Sequence, residues 1–251
     1  QLIKKLGPGE YMRIKYGKIL EHKRWYRLPL KKNIINDDSA KEIKNMLKIK
    51  ISEAVKRQLI ADVPVGAFLS GGLDSSCIVN FAKKYNNKIE TFTIKVDDNK
   101  ENLDYKYAKE VANHLNVKLN VVDVKSSDFI ENIENFVYQL DEPLADPAAI
   151  NVKFISSLAK KKGIKVLLSG TGGDDIFTGY RRHTAVNYHN IFNYFPKYYL
   201  KKLNNFSSLL PFQVEIFRRF NKFLNSIYLS GNERLVSYFE WNSSFQLNQK
   251  N

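Results

Sequence analysis

The stretch FLSGGLDSS, residues 68–76, follows a short apolar run and precedes a helical pattern. A strand, a glycine-rich turn and a helix together form an anion-binding arrangement, because backbone N–H groups and the positive end of the helix dipole face the ligand. Gly71 and Gly72 permit the tight turn. Hydroxyl side chains would add donors, and these are Ser70, Ser75 and Ser76. We therefore expect a phosphate-rich ligand here.

Asp74 is the unusual member of this loop, since a carboxylate next to phosphates is repelled unless a cation lies between them. Mg²⁺ is commonly held by one or two carboxylates together with substrate phosphates. The loop lacks the lysine of GxxxxGK[ST] and does not match GxGxxG, which argues against a P-loop and against a dinucleotide site. The sequence therefore predicts a magnesium-bound polyphosphate.

A second glycine-rich segment, LLSGTGGDDIFTGYRRH at residues 167–183, also follows an apolar run. We predict that Asp174 holds the same magnesium ion as Asp74, with a helix N-cap as the alternative role for Asp174. For Asp175 we favour the cap. A third segment, residues 141–149, contains Asp141, Glu142 and Asp146; it lines a substrate pocket or, equally, provides a helix cap through Asp146.

Strand and helix patterns alternate between these segments. Short apolar runs rich in β-branched residues are each followed by a helical period from residue 62 to residue 168. This order predicts an α/β fold, with a parallel twisted sheet and helices on both faces, followed by a mostly helical C-terminal part. An amphipathic helix capped by Asp37 or Asp38 precedes the first strand.

Composition limits the classes of protein. The 251 residues are 43% hydrophobic, enough for a full core, and the single cysteine, Cys77, excludes an intrachain disulfide. Apolar runs fall short of the roughly 18 residues of a membrane span, so we expect a cytoplasmic protein with no membrane partner. The net charge of +14 divides into +10, −3 and +7 over residues 1–60, 61–180 and 181–251. Because the motif-bearing part is acidic, we expect no nucleic-acid partner.

Three blocks resemble the asparagine synthetase domain of glutamine-dependent amidotransferases, within the ATP pyrophosphatase (PP-loop) superfamily with its adenine nucleotide alpha hydrolase-like fold. They are DVPVGAFLSGGLDSS at 62–76, DEPLADPAA at 141–149 and LLSGTGGDDIFTGY at 167–180. The resemblance implies ATP and Mg²⁺, and a reaction in which a carboxylate is adenylated and ammonia then displaces AMP. It implies that Asp74 and Asp174 bind the metal, that Leu69 and Ile94 line the adenine pocket, and that Ser169 and Gly170 contact the nucleotide.

The same resemblance divides the chain. Residues 1–35 would be the end of a glutaminase domain and a linker, 36–184 the synthetase domain, and 185–251 its truncated helical part. The chain would then be a fragment that lacks the ammonia-producing glutaminase domain, and a homodimer is expected.

Thr171 stands where the family has Glu or Asp, and a threonine is no general base at neutral pH. Either another group takes over the role of this acid or the substrate differs from aspartate, and we favour the second. We therefore expect the carboxylate substrate to be aspartate or a similar acid, and a sugar acid in surface polysaccharide synthesis is one alternative. An enzyme that closes an amide ring on its own substrate, and a non-catalytic nucleotide-binding fragment, are the others.

Overall fold

A computed structural model describes residues 4–27, 39–97, 102–140, 144, 146, 148–180, 183, 197–207 and 224. The chain divides into two compact units, Gln1–Leu47 and Lys48–Asn251. Over the described residues, no helix combines the length and the apolarity needed to cross a membrane.

The first unit contains a hairpin of two antiparallel strands, β1 (Glu10–Lys15) and β2 (Lys18–Arg24). Tyr16 and Gly17 connect them with positive φ angles of 51° and 71°, as a two-residue turn of type I′ requires. Glu10 accepts hydrogen bonds from His22 and Arg24 at 2.9 and 2.7 Å. These two bonds hold the pKa of Glu10 below its ordinary value.

Helix α1 (Ala40–Gln58) begins with a capping box. The Glu42 N–H donates to Ser39 Oγ at 3.3 Å, and the Ser39 N–H donates to Glu42 Oε2 at 2.8 Å. The expectation of a cap at Asp37 or Asp38 is wrong, because the Ser39 hydroxyl caps the first turn by accepting the Glu42 N–H. Both aspartates lie outside the described residues.

The second unit is built on a four-stranded parallel sheet with the strand order β5-β4-β3-β6. The predicted alternation of strands and helices is confirmed. Its elements in chain order are β3 (Val65–Phe68), α2 (Leu73–Tyr85), β4 (Glu90–Asp97), α3 (Leu103–Leu115), β5 (Lys118–Lys125), α4 (Ser126–Leu140), α5 (Ala148–Lys161), β6 (Val166–Leu168), α6 (Gly173–Ile176) and α7 (Lys197–Ser207).

Two hydrophobic clusters cover opposite faces of this sheet. Because side chains alternate along a strand, Val65 and Ala67 of β3 join a cluster with α1, α2 and α3, whereas Phe68 joins Phe92 and α5. Phe92 is fully buried. The prediction of helices on both faces is therefore confirmed.

The β4–β5 pair carries buried polar groups that are hydrogen-bonded. Thr91 Oγ1 donates to the Lys118 carbonyl at 2.9 Å, and Asn120 Nδ2 donates to Glu90 Oε2 at 2.9 Å. Satisfied in this way, these polar side chains fix the register of the two strands, Glu90 opposite Lys118. Of the predicted helical C-terminal part, residues 185–251, the structure describes α7 and the single position 224.

Candidate functional site

The first loop turns sharply between β3 and α2. Ser70 Oγ and Ser75 Oγ lie 3.0 Å apart, the Gly72 N–H donates to Ser70 Oγ at 3.3 Å, and Ser75 Oγ donates to the Gly72 carbonyl at 3.2 Å. The loop is thus braced by its own serines. The first N–H groups of α2 have no acceptor within the helix, and this makes the turn suited to an anion.

Gly71 is required at the start of this turn. Its φ is +78°, and a Cβ there would lie 2.5 Å from the backbone nitrogen of Ala108 on α3. Both the left-handed conformation and the close approach of α3 exclude a side chain. The glycine expected from the sequence therefore serves backbone packing as well as the turn.

The second loop leaves β6 in a similar way. Ser169 Oγ and Thr171 Oγ1 lie 2.7 Å apart, and the Thr171 N–H donates to Ser169 Oγ at 3.1 Å. The short helix α6 follows, with Asp174 in its first turn. It ends in a Schellman arrangement in which the Gly179 N–H donates to the Asp174 carbonyl at 2.9 Å. Thr178 has a positive φ of 58° there, a conformation that costs an L-residue about 1 kcal/mol.

The two loops touch through their glycines. A Cβ on Gly170 would lie 2.8 Å from the Ser75 nitrogen, and a Cβ on Gly173 would lie 2.5 Å from Cγ of Asp74. The Asp74 carboxylate therefore lies against the residue that precedes Asp174. This contact joins two segments about 100 residues apart in the chain, because β3 and β6 are neighbours in the sheet.

A cavity of about 420 Å³ opens where the loops meet at the carboxyl ends of the strands, the edge where α/β sheets bind ligands. It is lined by both predicted metal ligands, by the four hydroxyl side chains of the loops and by apolar groups. The lining residues are Phe68, Ser70, Gly72, Leu73, Asp74, Ser75, Val152, Ser169, Gly170, Thr171 and Asp174.

The chemistry of this lining fits a divalent cation with a phosphate ligand. Two carboxylates, Asp74 and Asp174, share one cavity, and Mg²⁺ takes one or two carboxylates and fills its other positions with phosphate and water. A cluster of three or more acidic, histidine or cysteine ligands does not occur in the part of the chain that the structure describes. The donor set therefore suits magnesium bound with a phosphate better than a metal held by protein alone.

Four of the predicted site residues are not among those that line the cavity. Leu69 is 1% exposed within the core, and its N–H donates to the Phe92 carbonyl at 2.9 Å. Ile94 packs against the cluster around Phe92, and Gly71 packs against α3. Ser76 lies with half-buried Cys77 in a second groove between α2 and α3. Ser76 Oγ is buried, without a hydrogen-bond partner among the described residues.

The acidic residues other than Asp74 and Asp174 that the sequence singled out have different roles or lie outside the described residues. Asp146 Oδ1 accepts a hydrogen bond from the Ala148 N–H at 2.9 Å, so it caps α5. The N-cap of α6 is Gly172, with φ +97°, so the expected cap at Asp175 is wrong; Asp175 lies within the first turn. Asp141 and Glu142 lie outside the described residues.

Three lining residues were not identified from the sequence. Phe68 and Leu73 lie on either side of the Ser70–Gly72 turn, and their place in the FLSGGLDSS motif is a signal that could have identified them. Val152 comes from α5, and no sequence signal connects it to either loop.

Comparison with known proteins gives one family. The sequence model of asparagine synthase matches residues 46–246. Asparagine synthetase [glutamine-hydrolyzing] 1 of Bacillus subtilis (strain 168) is 33% identical over 179 residues, 71% of this chain and 27% of that protein. Asparagine synthetase B [glutamine-hydrolyzing] of Escherichia coli (strain K12) is 30% identical over 196 residues, 71% of this chain and 34% of that protein.

The chain thus spans about a third or less of the length of these two relatives. Among solved structures, an NH3-dependent NAD synthetase from Campylobacter jejuni aligns at 15% identity with a TM-score of 0.38, over 54% of this chain and 60% of that one. This last likeness is too partial to support a functional argument.

Proposed function

The chain belongs to the asparagine synthase family, and from this premise we propose that the complete protein forms an amide from a carboxylate, ATP and ammonia. The observation that supports the proposal most directly is the contact between the two loops. It brings Asp74 and Asp174 to one cavity of about 420 Å³, beside the N-terminus of α2. A magnesium-bound triphosphate requires these groups together.

The reaction would proceed in two displacements. A carboxylate oxygen of the substrate attacks the α-phosphorus of ATP, and the bond to the pyrophosphate oxygen breaks, which leaves an acyl adenylate. Ammonia then attacks the acyl carbon, AMP leaves with the electrons of the broken C–O bond, and a proton is lost from nitrogen. The N-terminal N–H groups of α2 would stabilise charge on the leaving pyrophosphate.

Asp74 and Asp174 would hold Mg²⁺ through their carboxylates. When bound, the ion neutralises negative charge on the phosphates. The protein's own contribution is to position these carboxylates through the glycine contacts of the second loop, since catalysis of phosphoryl and nucleotidyl transfer depends mainly on positioning and electrostatics.

The carboxylate substrate is aspartate or another acid, a sugar acid included. Thr171 favours the second option, because a neutral hydroxyl paired with Ser169 at 2.7 Å lines the cavity at a position where the resembled family has an acid. Glutamine hydrolysed at a separate glutaminase domain would supply the ammonia. The domain limits at residues 35 and 184, the homodimer and the cytoplasmic location remain predictions.

The decisive experiment measures pyrophosphate release by the full-length protein with Mg²⁺-ATP and a panel of carboxylates, with glutamine or ammonia supplied. We expect release that depends on one carboxylate class. Asp74→Asn should lower it at least 100-fold, since one metal ligand is lost. The matched control is Asp62→Asn, an exposed aspartate before β3, at the opposite edge of the sheet. Equal release from Asp74→Asn and wild type would refute the proposal.

A further inference from the structure

Each hydroxyl group that lines the cavity has one hydrogen atom to donate, and the hydrogen bonds of the two loops show where it goes. In the first loop, Ser75 Oγ donates its hydrogen to the Gly72 carbonyl. The bond of 3.0 Å between the two serine oxygens must then use the hydrogen of Ser70. Both hydroxyl hydrogens of this loop are therefore used within the loop itself.

The second loop gives a different count. Ser169 Oγ accepts the Thr171 N–H at 3.1 Å and forms a 2.7 Å bond with Thr171 Oγ1. That bond uses one of the two hydroxyl hydrogens, whichever oxygen donates it. One hydrogen remains, on Ser169 or on Thr171, and both side chains line the cavity. Among the described residues, the hydroxyl pair Ser169–Thr171 therefore keeps one donor that can serve a ligand.

The position of this pair is fixed against the first loop. Gly170 lies between its two members, and a Cβ on Gly170 would be 2.8 Å from the Ser75 nitrogen and 2.9 Å from Cβ of Asp74. The spare donor is thus held beside the proposed phosphate site, and it is strengthened because each hydroxyl polarises the other.

We infer that the Ser169–Thr171 pair acts as one unit that donates a hydrogen bond to an anionic phosphate oxygen of the nucleotide. Either residue alone loses the 2.7 Å bond that orients and polarises the donor. Thr171 is in this sense a positioning residue of the pair. The inference rests on the proposed function for the identity of the nucleotide, and it adds a neutral donor whose effect does not vary with pH between about 6 and 9.

The test is a double-mutant cycle on Mg²⁺-ATP affinity, measured by titration calorimetry with the full-length protein. Thr171→Val and Ser169→Ala should each weaken binding about tenfold, as expected for a lost hydrogen bond to a charged group. Thr171→Ser keeps the hydroxyl and should bind within about threefold of wild type. The double variant should bind Mg²⁺-ATP no more than about threefold more weakly than either single variant, because each single substitution already removes the shared hydrogen bond.

The control is Ser157→Ala, which removes a hydroxyl that bonds the Lys153 carbonyl on α5, and it should bind as wild type does. Melting of each variant without nucleotide checks the fold, and Thr171→Ala replaces Thr171→Val if the valine variant does not fold. The tenfold loss should be equal at pH 6.5 and pH 8.5.

Wild-type affinity in both single variants, or single effects that multiply to about 100-fold in the double variant, would overturn the inference and leave the proposed function standing. An effect on the KM for the carboxylate substrate with unchanged Mg²⁺-ATP affinity would also overturn the inference. Wild-type protein that binds no Mg²⁺-ATP at millimolar concentration would instead overturn the proposed function and the inference with it.

Discussion

Gly71, Gly170 and Gly173 leave space that other segments occupy. α3 approaches Gly71, and the first loop approaches the other two glycines. The side chain of Asp74 fits only because Gly173 lacks a Cβ. At the scale of single residues, the site therefore depends on the lack of side chains at these glycines as much as on its carboxylates.

Two glycines with the same backbone angle separate conformational strain from crowding. Gly71 and Gly163 both have a φ of +78°, but a Cβ at Gly71 would meet α3, whereas a Cβ at Gly163 would have no described atom within 4 Å. Gly163→Ala should lower the free energy of unfolding by about 1 kcal/mol, the cost of the left-handed conformation. Gly71→Ala should cost about 1–3 kcal/mol more, because overpacking is added.

Urea unfolding of both variants measures the difference. Equal losses of stability would mean that α3 moves away from Gly71 without cost.

At the scale of elements, β4 and β5 are joined by charge as well as by the strand ladder. Glu90 Oε1 lies 3.0 Å from Lys118 Nζ, and Oε2 accepts from Asn120. The hydrogen bond from Lys118 is the main cause that lowers the pKa of Glu90, while partial burial opposes it. The pair lies at the start of both strands, away from the cavity at their carboxyl ends.

This lowered pKa predicts a pH-dependent stability. The carboxylate stabilises the fold above its unfolded pKa of about 4.3, and this contribution is lost as the pH falls through the lower folded pKa. Glu90→Gln should therefore cost up to about 1 kcal/mol at pH 7 and less at pH 3.

Denaturant unfolding at the two pH values tests this prediction. Glu131→Gln on α4 removes the same charge from an exposed position outside the pair and serves as the control. A Glu90→Gln loss of equal size at both pH values would contradict the role of the ionised group.

For the molecule as a whole, the second unit holds its candidate site at one edge of a sheet with a core on each face. The sheet order places β3 beside β6, so two loops far apart in the chain become neighbours. A ligand that bridges these loops binds only the folded sheet, and its binding is therefore linked to stability.

Mg²⁺-ATP should accordingly stabilise the protein against urea. At a ligand concentration of 100 times Kd, the gain is about 2.7 kcal/mol. Chelation of magnesium should remove most of this gain, because phosphates and carboxylates would then repel one another. In the Asp74→Asn variant, the stabilisation by ATP should be the same with and without magnesium. If ATP protected the protein equally with and without magnesium, Asp74 and Asp174 would not be its magnesium-binding site.

Local patterns were sufficient for the strands and helices of residues 40–168. Each such element carries its own apolar period, and both glycine-rich loops follow a strand, so their meeting at one edge was predictable. The cap at Ser39 was missed because Asp37 and Asp38 are equally good caps by residue type. Val152 was missed because its place in the cavity depends on how α5 crosses the sheet.

The amino-acid sequence by itself determined the parallel α/β fold and the two glycine-rich loops, because residue type and spacing act over a few neighbouring positions. The pairing of Asp74 with Asp174 around a metal ion stays a prediction. Only the tertiary structure decided that Asp74 and Asp174 line one cavity and that their loops are braced by their own hydroxyl groups. It also decided that Leu69 is a core residue and that Gly170 and Gly173 pack on the first loop. The contacts of Gly170 and Gly173 depend on distances of about 3 Å between segments about 100 residues apart, which packing alone sets.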